Sequence, residues 1–236
     1  MLELYLLKFS SILSLPVDII KAAVVLLLAF PFAIILSKLP KKHETIKHLF
    51  SIISSCSLFC LLFPISGFIQ LLFMALASYV ITYYFRSTRL GPLMTFSLVM
   101  VQLSLNHFYT QILIKGSPVS FDYTAPMMVL VMKLSSFSWS AHDGYLIKNK
   151  KKSIDELTHE QKLYQIENMP SIIEFLGYVF FVVSFLVGPS MEYKDYEKYI
   201  KSEAPYDNIP NRTIPTLKKL LTAQIQSIQI FSDIFQ

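Results

Sequence analysis

The run LFSIISSCSLFCLLFPISGFIQLLFMALASYVITYYF, residues 49–85, decides the architecture. It carries no charged side chain, and its apolar residues lack the alternation over roughly ten positions that a barrel strand would show. PISG at 64–67 supplies a tight turn, so the run reads as two helices, 49–65 and 68–85. A hydrocarbon layer about 30 Å thick asks for about 20 apolar residues, and within it only helices or closed barrels satisfy their own backbone. Helices that cross a membrane follow.

Further apolar runs flank this pair. Residues 17–37 form a span bent at Pro31, 92–114 and 123–141 form two more, and 171–187 a sixth, bounded by Pro170 and by GPS at 188–190. A short piece, 2–13, ends near Pro16 and reads as interfacial or half-inserted. The stretch 216–235 is amphipathic, with Leu217, Leu221, Ile228, Phe231 and Phe235 on one side. The expected fold class is all-α: a multi-span transmembrane helical bundle forming one membrane domain over 1–236. About six spans, an amphipathic or partly spanning C-terminal helix and a cytosolic loop near 142–170 compose it. Composition agrees, with mean hydropathy +0.50 and 16% charged residues, where soluble domains carry about 25%.

Charge sets the orientation. SKLPKKHETIKH (37–48), RSTR (86–89) and the 142–170 loop with KNKKK hold most of the early basic residues, while the turns at 64–67 and 115–122 hold only Lys115. The positive-inside rule assigns the three basic loops to the cytosol. The N-terminus and the 190–215 loop are then expected on the lumenal side, where NRT at Asn211 is a glycosylation sequon. The net charge of +5 therefore reads as topology and not as nucleic-acid binding. MLELYLLKFSSILSLP lacks the basic n-region of a cleavable signal. Cys56 and Cys60, four apart on one helix face, fit no metal spacing and read as packing residues.

Polarity inside the apolar segments marks where function is sought, because an ionisable group at membrane depth is costly. Lys133, Ser136, Ser140 and Asp143 fall at spacings of three and four, and Met132, Ser135, Trp139 and His142 make the adjacent stripe. The fifth span thus has one wet edge, with His142 and Asp143 at its cytosolic mouth. Two readings stay open: a polar cavity for an anionic head group with Lys133 as counter-charge, or Lys133 paired to a neighbouring helix with serines as packing. Gln102, Asn106 and Tyr109, beside His107, read as interhelical hydrogen-bonding groups. Glu174 either sits at the interface or pairs with Lys133, and Gly177 permits close packing. Three classes remain: a membrane enzyme acting on lipids, a partner subunit, and a transporter, whose repeat symmetry is not visible.

DYTAPMMVLVMKLSSFSWSAHDG (122–144) and MPSIIEFLGYVFFVVSFLVGPSMEYKDY (169–196) resemble, in order and spacing, two signatures of the membrane-bound O-acyltransferase family in its lysophospholipid acyltransferase branch. RLGPLMTFSLVMVQLSLNHFYTQ (89–111) fits more loosely. The resemblance implies a helical bundle enclosing a chamber near the membrane midplane, in the endoplasmic reticulum. It implies acyl transfer from acyl-CoA, as co-substrate, to the free hydroxyl of a lysophospholipid, with membrane lipids as surroundings and no metal or other cofactor. The family's histidine and upstream asparagine belong beyond the G-P-x-x-E-Y signature, and His107 and His142 do not match that pattern, so no catalytic residue is assigned. The chain is expected to correspond to the amino-terminal half of such an enzyme, inactive alone, with a carboxy-terminal half as its missing partner. Lys133, Trp139, His142, Asp143, Glu192 and Tyr193 are the candidates for lining the chamber wall. The rival is a non-catalytic membrane fragment or partner subunit, with a transporter third.

Overall fold

A computed structural model of the chain describes residues 17–40, 42–113, 123–150, 153–186 and 188–206, with isolated positions between 215 and 222. The chain forms two compact units, 1–201 and 202–236. In the second, a turn is closed by the Tyr206 amide on the Glu203 carbonyl at 2.7 Å. The expected segment 2–13, Lys115, Asn211 and most of 216–235 lie outside the described residues.

In the first unit all described regular structure is helical. The long helices are α1 (Val17–Lys38), α2 (Glu44–Leu62), α3 (Ile65–Phe85), α4 (Leu90–Phe108) and α5 (Thr124–Lys148). A π-turn, Tyr109–Leu113, extends α4. Short elements follow: a 3-10 turn at Ile154–Glu156, α6 (His159–Tyr164), α7 (Ile172–Val179) and α8 (Tyr193–Lys201). Among the described residues, three helices are long and apolar enough to cross a membrane by length and composition: Ile20–Lys38, Glu44–Leu62 and Ile65–Phe85. Their outer faces carry exposed Leu27, Ile34, Ile53 and Phe73, a surface suited to lipid and not to water.

α5 packs against α3 and α4. One joint is polar: the Tyr123 hydroxyl donates to Gln70 Oε1 at 2.5 Å, and Gln70 Nε2 reaches Asn106 Oδ1 at 3.5 Å. Asn106 therefore acts as the interhelical hydrogen-bonding group its position suggested. Cys56 and Cys60 are free thiols.

Two elements depart from expectation. α5 does not stop at His-Asp-Gly but runs on to Lys148, so the loop expected from 142 begins at 149. Gly144 lies inside the helix because another backbone crosses it closely: a Cβ there would sit 2.1 Å from the Ile166 carbonyl oxygen. The second departure is the expected span 171–187, which is not a continuous helix. α7 has eight residues, about 12 Å of rise. From Phe180 the chain turns irregularly among Phe59, Phe68 and Phe185, passes Gly188 at φ +84° beside Val129, and returns to Glu192 next to Ser136. The described residues 172–186 and 188–192 fold back on themselves as a hairpin. Non-helical backbone at membrane depth is stable only when protein surrounds it, and Phe175, Tyr178, Phe180 and Phe185 are all fully buried.

The hairpin changes the topology. α8 packs on the first turns of α2, where Lys47 Nζ donates to the Ile200 carbonyl at 2.6 Å and His48 Nδ1 meets the Tyr196 hydroxyl at 2.6 Å. α6, from the basic 142–170 loop, also packs against α8. Residues 193–201 therefore lie with the three basic loops, which corrects the expected lumenal placement of this stretch. With Cys56→Ala and Cys60→Ala as background, Lys150→Cys and Lys198→Cys should react with a membrane-impermeant maleimide from the same side of sealed vesicles. Ser66→Cys should react from the other. Labelling of Lys198→Cys together with Ser66→Cys would reject the hairpin.

Candidate functional site

The end of α7 explains how the hairpin is held. Val179, Phe180, Phe181, Val182 and Val183 are β-branched or aromatic, which weakens helix propagation. A helix that ends inside protein leaves carbonyls that must find donors. Lys133 Nζ donates to the Tyr178 and Val179 carbonyls at 3.0 and 3.3 Å. Ser55 and Ser51 hydroxyls donate to the Phe180 carbonyl at 2.7 and 3.2 Å, and Ser51 accepts the Val182 amide at 3.2 Å. The Tyr178 hydroxyl returns to the Met191 carbonyl at 3.0 Å and lies 3.3 Å from that of Lys133. Donors from α2 and α5 thus replace the next turn of helix.

Lys133 is fully buried in this arrangement, with Nζ also 5.1 Å from the centre of the Tyr178 ring. It is a cap on the backbone carbonyls of a neighbouring helix, which agrees with the second of the two readings left open and not with a counter-charge to an anionic head group. Glu174 does not pair with it. Its carboxylate accepts the Ser171 amide at 2.8 Å, closing a capping box at the start of α7.

The rest of the polar stripe opens on a cleft of about 230 Å³ between α5, α6 and the returning strand of the hairpin. Ser136, Trp139, Ser140 and Asp143 form the α5 wall, and Glu192 faces them. Glu160, Gln161, Tyr164 and Gln165 close the other side. The Ser136 hydroxyl donates to the Glu192 carboxylate. Gln161 is fixed twice: its Oε1 accepts the Thr158 amide at 3.1 Å in a second capping box, and its Nε2 donates to Asp143 Oδ2 at 3.0 Å. Among the described residues, three carboxylates and no lysine or arginine line this cavity. Its polarity is the reverse of the anion cavity that was one of the two readings.

Three of the six candidates, Trp139, Asp143 and Glu192, therefore meet in one cleft, and three do not. His142 is buried and donates from Nδ1 to the Arg86 carbonyl at 2.7 Å, edge-on to Trp139, so it ties α5 to the end of α3. Tyr193 packs on Phe137 and Tyr178, and burial pushes the pKa of its hydroxyl upward. It faces a separate recess of about 20 Å³ beside Glu44 and His48. Ser51, Ser55, Tyr178 and Gln161 were not anticipated. For Gln161 a signal was present in the spacing of THEQ at 158–161, which matches a capping box. Among the described residues no three metal-ligating side chains gather.

Comparison with known proteins bears on what this arrangement serves. The sequence pattern of MBOAT, the membrane-bound O-acyltransferase family, matches residues 108–232. The lysophospholipid acyltransferase of Schizosaccharomyces pombe is 39% identical over 195 residues, covering 81% of this chain and 36% of that protein. The lysophospholipid acyltransferase of Saccharomyces cerevisiae is 35% identical over 185 residues, covering 78% of this chain and 29% of that protein. Lysophospholipid acyltransferase 5 of Homo sapiens is 29% identical over 222 residues, covering 92% and 43%. The chain thus spans roughly a third of the length of the first two relatives.

Proposed function

Because the chain belongs to the membrane-bound O-acyltransferase family, we propose that it forms one wall of the substrate chamber of a lysophospholipid acyltransferase of the endoplasmic-reticulum membrane. Its substrates are a lysophospholipid and acyl-CoA. The observation that carries the reading is the similarity to two named lysophospholipid acyltransferases over about four-fifths of the chain. In the reaction the lysophospholipid hydroxyl oxygen bonds to the thioester carbonyl carbon. The carbon–sulfur bond breaks and the hydroxyl proton ends on the CoA thiol.

The hairpin 172–192 supports this reading, because it keeps irregular backbone and polar side chains inside a membrane protein, beside a cleft that opens at the level of the basic loops. Trp139, Asp143 and Glu192 are the residues of the wall that substrate would meet, and Lys133, His142 and Tyr193 shape it from behind. Hydroxyl activation is assigned to none of these. Asn211 is the proposed glycosylation position.

A photoactivatable lysophospholipid, added to the purified chain in nanodiscs, should cross-link to peptides within 133–143 and 159–192. Unlabelled lysophospholipid should suppress that labelling, while diacyl phospholipid at the same concentration should not. Labelling spread along the outer faces of α1–α3, or equal competition by both lipids, would sink the reading.

A further inference from the structure

α8 has nine residues, and an isolated helix this short does not persist in water, so it keeps its shape only while docked. Two polar contacts dock it on α2. Lys47 Nζ caps its C-terminal end through the Ile200 carbonyl, and the Tyr196 hydroxyl meets His48 Nδ1 at 2.6 Å. His48 closes the basic stretch 37–48, ahead of the apolar run 49–65. Tyr196 is 1% exposed and His48 5%. Among the described residues the Tyr196 hydroxyl has no other partner, so its proton goes to Nδ1 and the ring carries its own hydrogen on Nε2. Gly177 packs tightly beside the pair: a Cβ there would stand 2.5 Å from the Tyr196 oxygen and 2.8 Å from Nδ1.

Tyr196 also joins this contact to the cleft. Its amide donates to the Glu192 carbonyl at 3.1 Å, and Glu192 is the residue by which the hairpin faces Ser136. Where α8 sits therefore fixes where Glu192 stands.

A second proton on the ring turns Nδ1 from acceptor into donor. Two hydrogens then oppose each other across 2.6 Å, and a phenol hydrogen that turns away meets no acceptor. The neighbouring charges do not reverse this. From α2 they are Glu44 and Lys47, from α7 Glu174, and from α8 Glu197 and Lys201, beside the Tyr193 hydroxyl. Lys47 and Lys201 repel an imidazolium. Glu174 already accepts the Ser171 amide, and Glu197 is paired with Lys194 and Lys201 at 2.9 and 2.7 Å. Glu44 attracts, but from a half-buried rim where water screens it. The docked helix thus excludes a proton that the released ring accepts. Docking is complete above the ordinary histidine value of about 6.5 and weakens as pH falls below it.

We propose that His48 is an acid-sensitive latch: its neutral ring holds α8 on α2, and its protonation releases α8 and with it Glu192. The latch rests on contacts between α2, α7 and α8 and not on the acyltransferase reading.

Hydrogen exchange of the purified full chain in nanodiscs, each rate referred to the intrinsic rate at its pH, reads the latch directly. Amide protection over 196–201 should fall about tenfold from about pH 7.5 to about pH 5, while α5 keeps its protection. His48→Asn, whose Oδ1 stands in for Nδ1 without titrating, should hold protection constant across that range. Tyr196→Phe should start lower and show a step at least about threefold smaller, because no phenol hydrogen is displaced. Glu44→Gln and Glu174→Gln should retain the native step. An unchanged step in His48→Asn, loss of the step in either glutamine variant, or no step in the native chain overturns the latch. If His48→Asn loses α5 protection as well, Tyr196→Phe decides, and a full native step there overturns it.

Trp139, the chain's only tryptophan, lines the cleft with Glu192. Its emission should shift over the same pH range in the native chain and not in His48→Asn. A shift that survives in His48→Asn comes from the cleft's own groups or from His142 beside the ring, and overturns the coupling to Glu192.

Discussion

Lys133→Met is expected to destabilise the chain by about 1–3 kcal/mol, the cost of one buried carbonyl left without a donor. Methionine keeps the length and apolar stem of lysine and removes the donors. The Val179 carbonyl, held at 3.3 Å, then loses its donor, and the Tyr178 carbonyl, held at 3.0 Å, keeps only the Phe181 amide at 3.3 Å. One term opposes the loss: a buried amine is itself costly, and its removal recovers part of that. The Val179 carbonyl decides the sign, because the Phe181 amide that remains serves Tyr178 and not Val179. Ser55→Ala should cost less, as Ser51 still reaches the Phe180 carbonyl. Thermal unfolding in nanodiscs reads the difference, at about 2–4 °C per kcal/mol for a chain of this size. Hydrogen exchange should rise first at residues 180–186. A Lys133→Met variant with native stability and native exchange there would remove Lys133 from the hairpin.

This placement of Lys133 shows where sequence reasoning reached and where it stopped. The long helices α1 to α5 were legible because runs of about 20 apolar residues have few other solutions. The stripe of Ser136, Ser140 and Asp143 was legible because spacings of three and four fix a helix face, and that face does line a cleft. The sign of the cavity was not. Lys133 shares the stripe, yet its partners are backbone carbonyls 45 and 46 positions away, which no local pattern encodes. The run IIEFLGYVFFVVSFLV has the hydropathy of a span whether it meets lipid or other helices. Only its contacts with Ser51, Ser55 and Lys133 distinguish a broken, re-entrant segment. Gly144 lies inside α5 for a related reason: glycine commonly ends helices, but the backbone that requires it here comes from Ile166.

Gly144→Ala tests that last contact and should lower stability by about 2–3 kcal/mol, the range of overpacking in a tight interior. The added Cβ would stand 2.1 Å from the Ile166 oxygen, 2.2 Å from its carbon and 2.6 Å from the Glu167 nitrogen. These are backbone atoms, with no rotamer by which to withdraw. α5 and the segment around Ile166 must part, which breaks the bond from the Ile166 amide to the Ser140 carbonyl at 2.9 Å. Helix propensity pulls the other way, favouring alanine over glycine by about 1 kcal/mol. Steric overlap of this depth outweighs it. The same displacement moves Gln165 and loosens Gln161 from Asp143, so Trp139 emission should shift even before unfolding. Gly67→Ala provides the contrast, because its added Cβ would meet only the rings of Tyr123 and Phe59 at 3.2–3.3 Å, and side chains can give way. Gly144→Ala as stable as the native chain, with unchanged Trp139 emission, would mean that α5 and Ile166 do not lie in contact.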